Sequence, residues 1–191
     1  MTHIKNWTTA WEDMNYLDDE KLKLFQTLYT DLFELYKIKH KKMNVLEVGC
    51  GHGIRTLIFI DLVKHITAID PEKKLIDLLN KKIEDKKVET FVSNCEDFRS
   101  DKKFDLVIFS YSFFAIKHKQ KCLLNVTKML KHNGYILVLD PLKFVMIMDK
   151  RCKNPKNNMI ETMETLVRSN RLKLIHFRTA PGAMIYLLKK I

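Results

Sequence analysis

A run of glycines directly behind a short apolar segment is the feature that most constrains how this chain can fold. Residues 45–53 read Val-Leu-Glu-Val-Gly-Cys-Gly-His-Gly, with a glycine at every second position from 49 to 53. Glycine adopts positive φ without a steric penalty and lets backbone N–H groups approach a ligand closely. An amphipathic segment, 54–63, follows at once, and a helix N-terminus there adds unpaired donors and a positive dipole end. The pattern predicts a buried strand, a turn that binds a carboxylate or phosphate, and a helix.

Strand-like and helix-like segments alternate along the chain. The predicted helices are 20–38, 54–63, 71–85, 119–130 and 158–169. The predicted strands are 43–48, 65–70, 88–93, 104–110, 135–139, 171–178 and 183–190. Asn133-Gly134 is expected to form a turn, and Pro181-Gly182 to join the last two strands as a hairpin. A helix, five strand–helix units and a terminal strand pair predict an α/β fold. Its sheet should be seven-stranded and mainly parallel, with helices on both faces and a C-terminal antiparallel strand pair.

Length and composition set further bounds. A chain of 191 residues with 46% hydrophobic content is expected to form one domain, 1–191, with a helical cover over 1–40 and a core over 41–191. No apolar run is long enough to cross a membrane, so a soluble, cytoplasmic protein is expected. The four cysteines form no C-x-x-C pair, which favours reduced thiols over a disulfide framework and argues against a metal site.

Polar residues follow each predicted strand, and ligands of open α/β sheets bind at those carboxyl ends. Asp70 closes the second strand about 20 residues after the glycines, which suits a carboxylate that accepts two hydrogen bonds from a ribose diol. The alternative is that Asp70 caps the helix ahead of Pro71, and both roles are compatible. The spacing G-x-G-x-G differs from the G-x-G-x-x-G that is typical of dinucleotide-binding turns.

With these motifs, the sequence resembles the class I S-adenosylmethionine-dependent methyltransferases. The segment 45–53 matches the first motif of that family, and Ala-Ile-Asp-Pro at 68–71 matches the motif that ends in the ribose acid. Residues 93–98 resemble the adenine-binding segment, 104–107 the fourth-strand motif, and 130–136 the turn into the fifth strand. The resemblance covers about residues 43–190 and implies a Rossmann-like fold.

The resemblance also implies a cofactor, S-adenosylmethionine with S-adenosylhomocysteine as its product, and a set of residues that bind it. These residues are Glu47, Gly49, Cys50, Gly51, Gly53, Asp70, Pro71, Asn94, Cys95, Glu96, Ser110 and Tyr111. Asn94 replaces the aspartate that the family often has, and an amide oxygen can accept the same bond from the adenine amino group. Transfer to an oxygen or a nitrogen is the expected reaction, with no metal ion.

Candidate catalytic bases are His118 and Tyr111, with Asp140 a weaker third. The alternative for His118 is a solvated residue at the start of the helix over 119–130. The N-terminal segment with Trp7, Trp11 and Tyr16 is either a lid over the site or a helix-packing segment.

The chain carries a formal net charge of +11, which reflects either an anionic partner or lysine-rich genome composition. Basic residues predicted on the site side of the sheet favour a small anionic acceptor, nucleotide- or sugar-linked, over the alternative of RNA. These residues are Lys117, Lys119, Lys121, Lys143, Lys150, Arg151, Lys153 and Lys156. A further alternative is a non-catalytic, cofactor-binding partner subunit, and no membrane partner is expected.

Overall fold

A single seven-stranded sheet organises the chain. The computed structural model describes residues 19–84, 87–142, 159–169, 171–180 and 183–191. Its strands are β1 (Asn44–Val48), β2 (His65–Asp70), β3 (Val88–Val92), β4 (Phe104–Ser110), β5 (Leu130–Pro141), β6 (Leu172–Ala180) and β7 (Ala183–Lys190). The described helices are α1 (Asp19–Leu35), α2 (Ile54–Phe59), α3 (Lys73–Lys82), α4 (Lys119–Met129) and α5 (Met159–Arg168). Short 3-10 turns cover His40–Lys42 and Phe113–Ala115.

The strand order is β3-β2-β1-β4-β5-β7-β6, with β7 antiparallel to both of its neighbours and the other pairs parallel. The seven-stranded, mainly parallel sheet and the C-terminal antiparallel pair are therefore confirmed. The chain runs outward from β1 to β3 and then crosses back to β4 on the other side of β1. The turns that leave β1 and β4 consequently diverge, which opens a crevice between them.

Helices cover both faces of the sheet, because successive apolar residues of the central strands point to opposite faces and both faces must be buried. On one face, Leu46 and Val107 belong to a core that includes residues of α4 and α5. On the other, Val45 and Leu106 belong to a core with residues of α1, α2 and α3. Successive strand residues point to opposite faces, so a strand covered on both sides is apolar at nearly every position.

Asn133-Gly134 was predicted as a turn ahead of the fifth strand, and this prediction was wrong. This pair lies inside β5, which pairs Leu130 with Phe104 and then Tyr135 with Leu106, so extra residues of β5 are accommodated as an irregularity. Asn133 lies in this irregularity with φ +61°, in the left-handed region that asparagine adopts more readily than most residues. The sequence signal for a sharp bend was sound, but pairing with β4 continues on both sides of it.

Two further predictions need correction. No helix lies between β3 and β4: residues 93–103, all of which the structure describes, form turns and extended chain, so the expected count of strand–helix units was too high. Pro71 is not the first residue of a helix, because α3 begins at Lys73 with Glu72 at its N-cap. Pro71 instead belongs to the turn that leaves β2, where it is free to border the crevice.

The thiol prediction was also wrong. Cys95 and Cys122, which are 27 residues apart, form a disulfide with their Cα atoms 5.3 Å apart. The fold lays the segment after β3 against α4, and this proximity has no signature in the spacing of the cysteines. Cys50 is a buried free thiol.

Some predictions lie outside the described residues. They concern Trp7, Trp11 and Tyr16 of the N-terminal segment, the Pro181-Gly182 turn, and the basic residues between 143 and 156. In the part of the chain that the structure describes, no helix is both long and apolar enough to cross a membrane.

The central strands should carry most of the stability. Leu106 of β4 is fully buried, so Leu106→Ala should lower the free energy of unfolding by about 2–5 kcal/mol through lost contacts and a residual cavity. Leu174 of the edge strand β6 is 42% exposed, and Leu174→Ala should change that free energy by no more than about 0.5 kcal/mol. Urea denaturation of both variants checks the contrast, and equal losses would contradict this assignment of the core.

Candidate active site

A cavity of about 360 Å³ opens in the crevice at the carboxyl ends of β1, β2 and β4. Its lining includes most of the residues that the sequence predicted to bind the cofactor. These residues are Glu47, Gly49, Cys50, Gly51, Asp70, Pro71, Asn94, Cys95, Glu96, Ser110 and Tyr111. The fold thus brings together side chains from four loops that are up to 64 positions apart in the chain. The volume lies in the range typical of sites for small ligands.

The glycine loop forms one wall of the cavity, and all three glycines have positive φ, from +56° to +88°. A Cβ at Gly49 would lie 2.5 Å from Cβ of Ser112, and one at Gly53 would lie 2.0 Å from Cδ1 of Leu79. A Cβ at Gly51 would meet nothing within 4 Å. Gly49 and Gly53 are therefore needed for close packing, whereas Gly51 leaves an open approach to the backbone. Gly53 caps α2 behind the wall and is not among the lining residues.

Asp70, at the end of β2, binds the backbone of the glycine loop. One carboxylate oxygen accepts the N–H of Gly51 at 3.0 Å, and the other accepts the N–H of Glu72 at 2.9 Å. Burial raises the pKa of this carboxyl, while the two backbone bonds act against that rise. Each oxygen keeps a lone pair for a ligand, so Asp70 can hold the turn and accept two hydroxyl hydrogen bonds. Both roles weighed from the sequence are compatible with this geometry.

Glu47 brings a second buried carboxyl to the cavity. Its Oε2 accepts a hydrogen bond from Oγ1 of Thr56 at 2.7 Å. Burial raises the pKa of Glu47 to about 7, against the lowering influence of the Thr56 bond and of the nearby Arg55 charge. Glu47 therefore titrates near neutrality, and a cation that entered the cavity would favour its ionised form.

The loop after β4 forms the facing wall. Tyr111 has φ +58°, a conformation that costs a residue with a large side chain about 1–3 kcal/mol and is common at ligand sites. Oγ of Ser112 donates to the carbonyl of Val48 at 2.6 Å, which joins this loop to the end of β1. Burial raises the pKa of the Tyr111 phenol. At neutral pH the phenol is thus protonated and able to donate a hydrogen bond.

Two buried ionisable side chains bind the backbone of the loop after β4. Asp140, at the end of β5, is fully buried and accepts the N–H of Phe114 at 2.7 Å. Lys119 donates to the carbonyls of Phe114 and Ile116 at 3.1 and 2.8 Å. Burial raises the pKa of Asp140 to about 7. These two residues keep the loop in place and do not line the cavity.

Arg55 also lines the cavity, and the sequence reasoning gave it no role. Its side chain is buried against two aromatic rings, with Cζ 4.2 Å from the ring centroid of Tyr111 and 5.0 Å from that of Phe25. Such cation–π contacts are worth about 0.5–2 kcal/mol each. The sequence did contain a signal for this role: Arg55 lies in the first turn of the helix that follows the glycine loop, and a side chain there can reach the site.

The structure does not bring every predicted residue to the cavity. His118 is exposed at the N-cap position of α4 and is not among the lining residues. Lys117 is exposed and lines the cavity, whereas Lys121 pairs with Asp97 at 3.1 Å on the surface. Lys117 is thus the one predicted site-side lysine that the described part of the cavity contains.

Helix α1 and the adenine segment are each tied to the site. Tyr29 of α1 shares a hydrogen bond of 2.6 Å with Oγ of Ser110, and burial raises the pKa of the tyrosine. On the other side, Asn125 of α4 donates to the carbonyls of Cys95 and Phe98 at 2.8 and 2.9 Å. Together with the disulfide, these bonds fix the segment that follows β3.

In the described residues, no group of three or more His, Cys, Asp or Glu side chains could hold a metal ion.

Comparisons with known proteins agree with this geometry. A family profile for a methyltransferase domain matches residues 39–179. The chain belongs to the class I, Rossmann-like methyltransferase family. An uncharacterised methyltransferase of Staphylococcus carnosus is 31% identical over 145 residues, which cover 74% of this chain and 68% of that protein. The cypemycin N-terminal methyltransferase of a Streptomyces species is 28% identical over 106 residues, 52% of this chain and 43% of that protein.

The fold is shared with solved structures. The N-methyltransferase NodS of Bradyrhizobium japonicum, in complex with S-adenosylhomocysteine, superposes with a TM-score of 0.69 at 15% identity. That match covers 97% of this chain and 99% of NodS. By contrast, the chain spans half or less of several curated relatives that it matches by sequence, such as 43% of the cypemycin enzyme.

Binding of the cofactor to this methyltransferase should depend on pH through Glu47. The free carboxyl has a pKa of about 7, and an S-adenosylhomocysteine amino group bound beside it would favour its ionised form, so that binding would release a proton below that pH. Affinity should be constant above neutrality and fall by up to about tenfold between pH 8 and pH 6. Calorimetric titrations at both pH values check this.

Glu47→Gln supplies the control, because its side chain does not titrate. The variant should bind more weakly at pH 8 and lose the pH dependence. An unchanged slope in Glu47→Gln would assign the dependence to another group and contradict the prediction.

Proposed function

We propose that this protein transfers a methyl group from S-adenosylmethionine to an oxygen or nitrogen of a small acceptor that carries a phosphate or carboxylate. The carrying observation is the convergence of the positive-φ glycine loop, Asp70 and Glu47 on one cavity. Membership of the methyltransferase family supports the reaction. The acceptor class rests on the charge of the chain and of Lys117 at the cavity.

The residues present fit the cofactor. The open space above Gly51 lets a ligand reach the loop backbone, where a side chain would otherwise project. Asp70 retains one acceptor site on each oxygen for a ribose diol, and buried Glu47 suits an ammonium group. The backbone at Cys95 and the Asn94 side chain border the other end of the cavity and would meet the adenine ring.

When bound, S-adenosylmethionine supplies an electrophilic methyl group on a sulfonium. The chain's own contribution would be alignment: the two walls, joined by the Ser112–Val48 bond, border the cavity in which an acceptor would meet that group. The protonated Tyr111 phenol is suited to orient an acceptor by donating a hydrogen bond. We propose Tyr111, and not His118, as the polar group nearest the transfer, because Tyr111 lines the cavity and His118 is exposed outside it.

Asp70→Asn tests the cofactor site. Replacing the carboxylate removes one acceptor and the charge, so the affinity for S-adenosylhomocysteine should fall roughly ten- to a hundredfold. Asp77→Asn is the matched control, because Asp77 lies exposed on α3 in an ion pair with Lys73 and should bind normally. Isothermal titration calorimetry measures both, and thermal melting shows whether Asp70→Asn remains folded.

The acceptor is tested separately. Wild-type protein is incubated with S-adenosylmethionine carrying a trideuterated methyl group and panels of phosphorylated or carboxylated amines and alcohols, and products are detected by mass spectrometry. Absence of cofactor binding by the wild type would reject the function. Cofactor binding without any methylated product would favour a non-catalytic subunit, and salt-sensitive RNA binding would favour the nucleic-acid alternative.

A further inference from the structure

The guanidinium of Arg55 stands out because the fold buries it at the cavity without a salt bridge to any carboxylate of the described residues. The residue is 8% exposed, and its Nε is sealed from solvent with no hydrogen-bond partner. Within the described residues, no carboxylate forms a salt bridge with Arg55, and the ion pairs there involve other cations. The Arg55 charge lowers the pKa of the Glu47 carboxyl, but Glu47 accepts its hydrogen bond from Thr56 and none from Arg55.

Two aromatic rings orient Arg55 at the cavity. Phe25 and Tyr111 meet edge to face with their ring centroids 5.7 Å apart, and both rings lie within 5.0 Å of the guanidinium carbon. Aromatic rings fix the plane of a guanidinium and leave its N–H donors available at the edge. A buried cation in this position remains costly until an anion enters.

We infer that Arg55 is the carboxylate-binding residue of the cavity, oriented by Phe25 and Tyr111 to hold a carboxylate in a forked pair of hydrogen bonds. The inference rests on the proposed function for the nature of the ligand. Two carboxylates are available to the site: that of the methionine half of the cofactor and that of a carboxylated acceptor. Both would bind through the same planar, bidentate geometry.

The first arm compares S-adenosylhomocysteine with S-adenosyl-3-thiopropylamine, which keeps the amino group and lacks the carboxylate. If Arg55 holds the cofactor's carboxylate, Arg55→Gln should weaken S-adenosylhomocysteine binding roughly ten- to a hundredfold and change binding of the decarboxylated analogue by less than about twofold. Arg55→Lys keeps the charge but not the fork, and should lose affinity for S-adenosylhomocysteine to an intermediate degree. Arg168→Gln, on the exposed face of α5, is the matched control for loss of an arginine.

The second arm uses the protein saturated with S-adenosylhomocysteine and titrates acetate, malonate and benzoate by NMR chemical shift. Saturable binding to the wild type that is lost in Arg55→Gln, with cofactor affinity unchanged, assigns the carboxylate to the acceptor. If Arg55→Gln alters neither the cofactor selectivity nor carboxylate binding, the inference is overturned. A wild type that binds neither nucleoside ligand would instead reject the proposed function.

Thermal melting without ligand separates binding from a structural role. The lost cation–π contacts and the relieved cost of the buried charge act in opposite directions, so Arg55→Gln should change the melting temperature by only a few degrees. A larger fall in melting temperature together with unchanged ligand selectivity would show that Arg55 only packs against the rings, which also overturns the inference.

Discussion

The cavity depends on close contact between the loop after β1 and the loop after β4, at the point where the strand order of the sheet reverses. Strands β1 and β4 are parallel neighbours, and the chain leaves their carboxyl ends in different directions. At that point Gly49 lies against Ser112, with no room for a Cβ, and Ser112 donates to the carbonyl of Val48. This contact fixes both walls of the cavity at once, because one wall is the glycine loop and the other is the loop that carries Tyr111.

Charge burial at this edge of the sheet follows from the same arrangement. Glu47, Arg55, Asp70, Lys119 and Asp140 are all buried, either at a strand end or in the first turn of the helix that follows one. Asp140 and Lys119 bind backbone groups and hold a loop in place. Glu47, Arg55 and Asp70 face the cavity, where their full hydrogen-bonding capacity is not used by the described residues. Buried ionisable groups that face one cavity are typical of ligand-binding sites.

The sequence predicted the structure best where an element and its ends depend on residues that are neighbours in the chain. β2 and β4 were predicted with their observed ends, because apolar residues in both strands are bounded by clear polar breaks. The predicted cofactor residues Glu47, Gly49, Gly51 and Asp70 line one cavity because strand ends meet at one edge of a parallel sheet. The sequence alone did not predict the continuation of β5 through Asn133-Gly134, since a bend and a strand irregularity share the same residues. Nor did it reveal the Cys95–Cys122 bond, which joins segments that only tertiary packing brings together.

By itself the sequence determined the type of sheet, the place of the glycine turn and the acid that faces it, because each follows from residues that are adjacent in the chain. Only the tertiary structure decided which polar side chains share the cavity. It placed Arg55 against Phe25 and Tyr111 and left His118 exposed, although His118 follows Tyr111 by seven positions and Arg55 precedes Tyr111 by 56. The physical reason is that the crossing of α1 and α2 over the sheet, rather than spacing along the chain, sets which side chains lose contact with water and face the ligand.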